Sequence, residues 1–337
     1  MSGSPRRLER DLDDLRRRWV PDHRLGVFDV EIAGERLAGC VSSRDALQAL
    51  RRLAADSGLG EQVRLLPDES VGGDTAAVVT AALAPLLGQP TLRAPRVSEC
   101  LHGEALAVLE RRGDWLRVRA GDGYHGWLHA GYLALGADDW AEDWTARATA
   151  RSVGTELVFA EGRMRLPVGA RVALGPSGGV ETADGRHGGV AEGEVRPESE
   201  LRAEARHLAP PELGLRWFSG APYLWGGRTE WGIDCSGFVQ AVYAARGLRL
   251  LRDSDQQVTQ GREVAIAPGG GGGGYEAGDL LFFAEEGRVS HVALWMGAGR
   301  VAHSALSRGG VAVDDLSAAS PLARRLRDQL VAVRRIV

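Results

Sequence analysis

The sequence predicts a multidomain protein, with small all-β barrels in the middle of the chain and α+β units at both ends. Three observations lead there. The chain has 337 residues, room for two to four small domains with separate cores. Its hydrophobic pattern changes character along the way, from helical spacing, to short alternating runs between Gly-rich turns, to a helix followed by strand-like runs. Only three cysteines occur, Cys40, Cys100 and Cys235, so the fold must rest on those cores and not on a disulfide framework. Charged residues make up 26% and the net charge is −4, which argues against a generic nucleic-acid surface or a polybasic membrane arm. All 41 basic residues are arginine, a bias without functional content.

The elements follow in order. Residues 5–19 read as a charged helix with a narrow stripe of Leu8, Leu12 and Leu15. VFDVEIAGERLAGCV alternates like two strands around an Ala-Gly turn, and Ser43 to Ala55 reads as an amphipathic helix with Leu47, Leu50 and Leu53 at helical spacing. Together they predict a small α+β N-terminal unit over residues 1–75, ended by a Gly-Gly-Asp linker at 72–74. Residues 80–136 carry ALAVLE, DWLRVRA and GWLHAGYL between Gly-rich turns, the pattern of a small antiparallel barrel. Residues 145–205 read as a second, more divergent barrel, with ELVFAEGRMRLPVGARVAL as its first strands. From 206 to 337 the chain reads as an α+β domain. A run of six glycines, 269–274, precedes its strand-like segments DLLFF, RVSHVALWMG and RVAHSAL.

Chemistry concentrates in this last domain. Cys235 stands at the start of an apolar helical run in which Phe238, Val242 and Ala245 share a face, and Arg246-Gly247 closes the run. A cysteine there feels the positive end of the helix dipole, which favours thiolate; a lone cysteine is otherwise a small core residue. His291 and His303 lie on two strand-like runs. If Gly297-Ala298-Gly299 closes a hairpin as a three-residue loop, Met296 opposes Arg300, His303 opposes Ala293, and both imidazoles share one face as diagonal neighbours roughly 7–8 Å apart at the backbone. A two-residue loop puts them on opposite faces. Cysteine, histidine and a polar orienter form a nucleophile, base and orienter set. No CxxC, HExxH or phosphate-binding Gly-rich loop is present, so a zinc or nucleotide reading has no support and no cofactor is expected.

The motifs PYLWGG, DCSGF, RDSDQQ, GDLLFF, SHVALWMG and HSA occur in this order. Together they resemble the NlpC-type family of papain-like cysteine peptidases, over residues 206–337. GEALAVLERRGDWLRVRAGDGYHGWLHAGYL is similar to the bacterial SH3-like domains, through Gly103-Glu104, Gly113-Asp114-Trp115, Gly123-Tyr124 and Gly126-Trp127. The combination resembles γ-D-glutamyl-L-diamino-acid endopeptidases that act on free cell-wall peptides with an N-terminal L-alanine. The resemblance implies a papain-like α+β peptidase domain preceded by SH3-like barrels, with a muropeptide as substrate partner and no metal. It implies Cys235 as nucleophile, His291 as base and His303 as orienter, with Tyr223 beside the thiolate. It also implies Asp234 and Ser236 as substrate contacts, and Asp253 and Ser254 as readers of the ligand's N-terminal end. Tyr124 would close over that end, Glu99 is a candidate second carboxylate there, and Trp225 is a wall of the cleft. Plainer roles stay open: Tyr124 and Trp127 as barrel-core aromatics, Asp253 as a helix N-cap, Glu99 as a solvated side chain. A non-catalytic wall-binding protein, and an acyltransferase or amidase on the same scaffold, are the alternative functions.

The N-terminus has early positive charge but no apolar stretch of the secretory kind, and no run of about 18 apolar residues occurs. The default expectation is a cytoplasmic protein, with non-classical export left open.

Overall fold

The computed structural model describes residues 5–175, 178–267 and 272–337. The chain divides into two compact units. The first comprises Met1–Val78, Leu87–Ala94 and Ala105–Glu142, and the second Val79–Leu86, Pro95–Glu104 and Asp143–Val337.

The first unit opens with α1 (Pro5–Trp19), β1 (Phe28–Ala33), β2 (Arg36–Val41), α2 (Arg44–Ser57) and β3 (Gly60–Leu65). β1 and β2 form an antiparallel hairpin, and β3 lies parallel to β2 because α2 supplies the crossover a parallel pair requires. Ser43 starts α2, its hydroxyl accepting the Ala46 N–H at 3.3 Å. Leu12 of α1 and Leu47 and Leu50 of α2 bury against Phe28, Val30, Leu37 and Val63. Next along the chain come β4 (Ala76–Val79), β5 (Leu83–Leu87), β6 (Arg96–Leu101), β7 (Ala105–Arg112), β8 (Trp115–Arg119), β9 (His125–His129) and β10 (Leu133–Gly136). Within the first unit, β7, β8 and β9 form an antiparallel meander, with Leu106, Val108, Leu116, Val118 and Leu128 buried.

In the second unit α3 (Asp138–Arg147) leads into β11 (Ala150–Ser152), β12 (Thr155–Phe159), β13 (Gly162–Leu166), β14 (Arg171–Leu174), β15 (Val180–Glu181), β16 (His187–Glu192) and β17 (Val195–Pro197). They form one sheet in the order β13-β12-β16-β15-β14-β11-β17, the second SH3-like barrel, closed over Leu157, Leu166, Val172 and Val180. α4 (Glu198–His207) and α5 (Pro210–Phe218) follow, then the short hairpin β18 (Arg228–Thr229) and β19 (Gly232–Ile233), α6 (Cys235–Ala245) and α7 (Ser254–Gln257). The chain ends with β20 (Arg262–Val264), β21 (Leu280–Glu285), β22 (Arg288–Gly297), β23 (Arg300–Ala305), β24 (Gly310–Asp315), α8 (Pro321–Gln329) and β25 (Leu330–Arg335).

The C-terminal sheet has the order β20-β25-β21-β22-β23-β24. Alternation along its strands divides the core in two. Leu280, Phe282, Val292 and Leu294 meet Phe238, Val239 and Val242 of α6, whereas Leu281, Phe283, Ala293 and Trp295 meet Leu326 of α8. Half of the glycine run, residues 269–271, lies outside the described residues.

Candidate active site

The site belongs to the second unit and begins at the N-terminus of α6. Asp234 is the N-cap, and its carboxylate accepts the N–H of Gly237 at 2.7 Å and the N–H of Gly226 at 2.8 Å. The helix starts close against the preceding turn: a Cβ on Gly237 would stand 2.3 Å from the Gly227 carbonyl oxygen, so only glycine fits. These restraints fix Cys235 at the first helical position. Its side chain is 6% exposed and packs in the same core cluster as Val292, whose backbone N–H points at the sulfur.

His291 and His303 stand together. His291 Nε2 lies 2.7 Å from His303 Nδ1, with the rings edge to face at 4.9 Å between centroids. The shared face follows from a device the sequence does not announce. The loop is Ala298-Gly299, two residues with φ of 51° and 76°, and Arg300 pairs with Gly297, not with Met296 as the three-residue loop requires. A bulge between Trp295 and Gly297 adds the residue that the shorter loop removes. Beyond it Leu294 opposes Ala302, so the register continues to Ala293 beside His303 and the imidazoles keep a common face.

His303 is 1% exposed, and its second nitrogen, Nε2, lies 2.9 Å from Asp314 Oδ2. Asp314, on β24, also accepts from Arg308, whose Nε reaches Oδ1 at 3.0 Å. The hydrogen bond with His303, reinforced by Arg308, holds the Asp314 carboxyl well below the usual carboxylate range. Burial lowers His291, with the neighbouring His303 adding to it, and burial raises the Cys235 thiol, with Asp234 adding to it.

Tyr223 is half-buried, and burial raises its phenol, with the negative charge available at Cys235 and Asp234 adding to it. Its backbone N–H donates to Gly309 at 2.9 Å, tying it to the turn before β24. Trp225 is 69% exposed.

The side chains of Asp234 and Ser236 are buried and turned inward on Arg252. Arg252 is 1% exposed and donates to Asp234 Oδ1 at 3.0 Å and Oδ2 at 2.8 Å, to Ser236 Oγ at 2.9 Å, to Gly227 O at 3.3 Å and to Ser98 Oγ at 2.9 Å. Charge pairing decides this: a carboxylate beside a nucleophile is tolerable in a dry site only when a cation neutralises it. Asp253 caps α7 in a capping box with Gln256, the plainer of its two expected roles, and Ser254 is buried behind it. Glu99 is not solvated. It is buried, accepts from Arg96 at 2.5 Å and from the Arg228 N–H at 2.9 Å, and burial raises its carboxyl. The Arg252–Ser98 bond brings residues 98–99 against 252–253. Tyr124 and Trp127 are buried within the first unit. Among the described residues no three His, Cys, Asp or Glu side chains converge as a metal site requires, and no helix is long and apolar enough to cross a membrane.

Asp314, Arg308 and Arg252 were not legible as site residues. For Asp314 one signal exists: in GVAVDD, alternation puts Asp314 on the face of Ala312, the residue opposite His303.

Comparison with known proteins agrees with this geometry. Residues 220–328 match the NlpC/P60 family and residues 86–133 the bacterial dipeptidyl-peptidase SH3 domain. A γ-D-glutamyl-L-lysine dipeptidyl-peptidase of Bacillus subtilis is 36% identical over 118 residues, 34% of this chain and 37% of that protein. A protein of the same name from Bacillus cereus is 27% identical over 65% of this chain and 70% of its own length. Dipeptidyl-peptidase 6 of Lysinibacillus sphaericus is 27% identical over 74% of this chain and 94% of its own length. Among solved structures, an NlpC/P60 family protein from Bacillus cereus superposes with a TM-score of 0.61 at 19% identity, covering 77% of this chain and 99% of that one. An NlpC/P60 endopeptidase from Photobacterium damselae subsp. piscicida gives 0.56 at 13% identity, covering 79% and 72%. The chain thus carries an NlpC/P60 domain together with a bacterial dipeptidyl-peptidase SH3 domain.

Proposed function

We propose that the chain is a cysteine endopeptidase that hydrolyses the bond between γ-D-glutamate and a diamino acid in free cell-wall peptides bearing an N-terminal L-alanine, a reaction suited to murein peptide recycling. The observation that carries this is a buried cysteine at a helix N-terminus, with the backbone N–H of Val292 on its sulfur and, one residue before Val292, an imidazole whose Nε2 is held by a second histidine. The names of the Bacillus relatives support the γ-D-glutamyl bond as the target.

In this mechanism His291 takes the Cys235 proton as sulfur attacks the γ-carbonyl carbon. The C–S bond forms, and the carbonyl oxygen becomes an oxyanion. The Cys235 backbone N–H, at the start of α6, and the Tyr223 hydroxyl would donate to it. Collapse breaks the C–N bond, and the amine leaves with the proton that His291 returns. Water then attacks the thioester with His291 as base, the C–S bond breaks, and the carboxylic acid and free thiol are restored. A substrate amine would be read by the negative charge of Asp253 and Glu99.

The test is mass-spectrometric digestion of L-Ala-γ-D-Glu-diaminopimelate and its lysine counterpart, each beside its N-acetylated form. Cleavage of the free-amine peptides alone is the expected result, abolished by Cys235→Ala with the fold retained. Hydrolysis persisting in that variant refutes the mechanism. Cleavage of neither peptide, with tight binding or acyl transfer in its place, moves the assignment to a wall-binding protein or a transferase.

A further inference from the structure

Resting on the cysteine-peptidase reading, we infer that Asp314 is a positioning residue that sets the tautomer of His291 through His303, with Arg308 fixing the orientation of the Asp314 carboxylate. The chain of contacts runs from the nucleophile's base outward: His291 Nε2 to His303 Nδ1 at 2.7 Å, His303 Nε2 to Asp314 Oδ2 at 2.9 Å, and Arg308 on Asp314, where both Nε (3.0 Å) and Nη2 converge on Oδ1 and Nε also reaches Oδ2 at 3.2 Å, so that Oδ1 is the oxygen Arg308 demands most.

The proton count follows from which groups accept. Asp314, paired with Arg308, only accepts, so when His303 carries one proton that proton sits on Nε2. Its Nδ1 then carries the lone pair and accepts from His291, whose proton must be on Nε2. That leaves Nδ1 of His291 as its basic nitrogen, turned away from His303 and available for the thiol proton. Each proton position is forced by the next acceptor, and the series ends at a carboxylate. His303 alone cannot impose this order, because a neutral imidazole accepts or donates at either nitrogen. The charged groups around His303 are Asp314 from β24 and Arg308 from the turn at Leu306–Arg308, with His291 as the neighbour from β22.

Arg308 makes the inference testable without changing shape. In Asp314→Asn the amide must present its oxygen to Arg308, which has only donors. The amide NH2 then faces His303 Nε2 and donates to it. His303 is driven to Nδ1–H, His291 to Nδ1–H, and the base loses its lone pair toward the cysteine. Substituting Arg308 as well frees the amide to turn over, so its oxygen again accepts from His303 Nε2–H. A second substitution that removes an ion pair should therefore restore function.

Two readouts test this on the full chain. Two-bond 1H–15N spectra of histidine-labelled protein report the tautomers directly. The expectation is Nε2–H at both His291 and His303 in the wild type, Nδ1–H at both in Asp314→Asn, and return to Nε2–H in Arg308→Ala/Asp314→Asn. Alkylation of Cys235 by iodoacetamide as a function of pH reports the base without any substrate. At neutral pH it should fall by about 10²–10⁴-fold in Asp314→Asn, the range of general-base assistance, recover as pH rises, and return by at least about tenfold in the double variant. Asp314→Asn within about threefold of wild type at neutral pH, unchanged tautomers, or a double variant no faster than the single one refutes the inference. If the wild type cleaves no peptide while the tautomers move as stated, the peptidase assignment fails and the positioning role stands.

Discussion

Replacing Arg252 by methionine should be among the most damaging single substitutions outside the nucleophile itself. Methionine keeps much of the side-chain length and removes the charge. The guanidinium is fully buried and makes five hydrogen bonds, two of them to the N-cap carboxylate of the nucleophile helix. Breaking a buried pair from one side leaves an uncompensated buried charge and costs about 3–5 kcal/mol. With an m-value of about 2–3 kcal/mol/M in urea, a loss of about 4 kcal/mol lowers the midpoint by about 1.3–2 M. The assay is urea-dependent hydrogen exchange read on the peptide spanning Cys235–Ala245, which isolates the helix Asp234 caps. Asp234→Asn in the same background should recover part of the loss, because the orphaned charge is gone while Asn still caps the helix. A midpoint shift under about 0.3 M, or a double variant that loses the sum of both single effects, refutes the argument that charge compensation holds the nucleophile turn.

Two further outcomes follow from buried groups. His102 is fully buried, its Nδ1 2.9 Å from Thr80 O and its Nε2 accepting the Ala183 N–H at 3.1 Å, and burial holds it below its ordinary pKa. The folded protein keeps it neutral while the unfolded chain takes up a proton below about pH 6.5, so stability is full above that pH and falls beneath it. His102→Gln should reduce the slope of stability against pH between 5 and 6 by up to about 1.4 kcal/mol per pH unit in urea melts; an unchanged slope contradicts the neutral assignment. Gly310→Ala would place a Cβ 2.1 Å from the Ala221 carbonyl oxygen, on the strand that holds the Tyr223 turn. It should cost about 1–3 kcal/mol and lower kcat by displacing Tyr223, and wild-type kinetics in this variant would exclude that coupling.

What the sequence made legible was whatever leaves a local mark. The cysteine ahead of an apolar helix, the helical stripe of Leu47 and Leu50, and the Gly-punctuated barrels each have a period or a punctuating residue. What stayed hidden depends on tertiary pairing. β3, with Glu61, Gln62 and Arg64 in six residues, is a strand only because α2 returns the chain beside β2. The loop between the histidine strands was misjudged by one residue, and the bulge at Met296 cancelled the error, since side-chain parity depends on the sum of loop and bulge. Arg252 reads as a surface residue in any one-dimensional pattern; burial follows only from the acceptors that surround it. Asp314 looks like half of a solvated Asp-Asp pair until β24 is placed beside β23.

These hidden residues share one electrostatic purpose. Two carboxylates, Asp234 and Asp314, flank the cysteine and the histidine pair, and each alone would bias the chemistry. Asp234 opposes a thiolate, and an uncompensated Asp314 would draw a proton onto the imidazoles. Each is matched by its own arginine, Arg252 in the interior and Arg308 at a 45% exposed position. The carboxylates therefore act through hydrogen-bond direction, one fixing the helix start and the other the tautomer. A nucleophile in such a neutral, dry setting does not need to rest as a thiolate. Its proton moves to His291 when an electrophilic carbon reaches the sulfur.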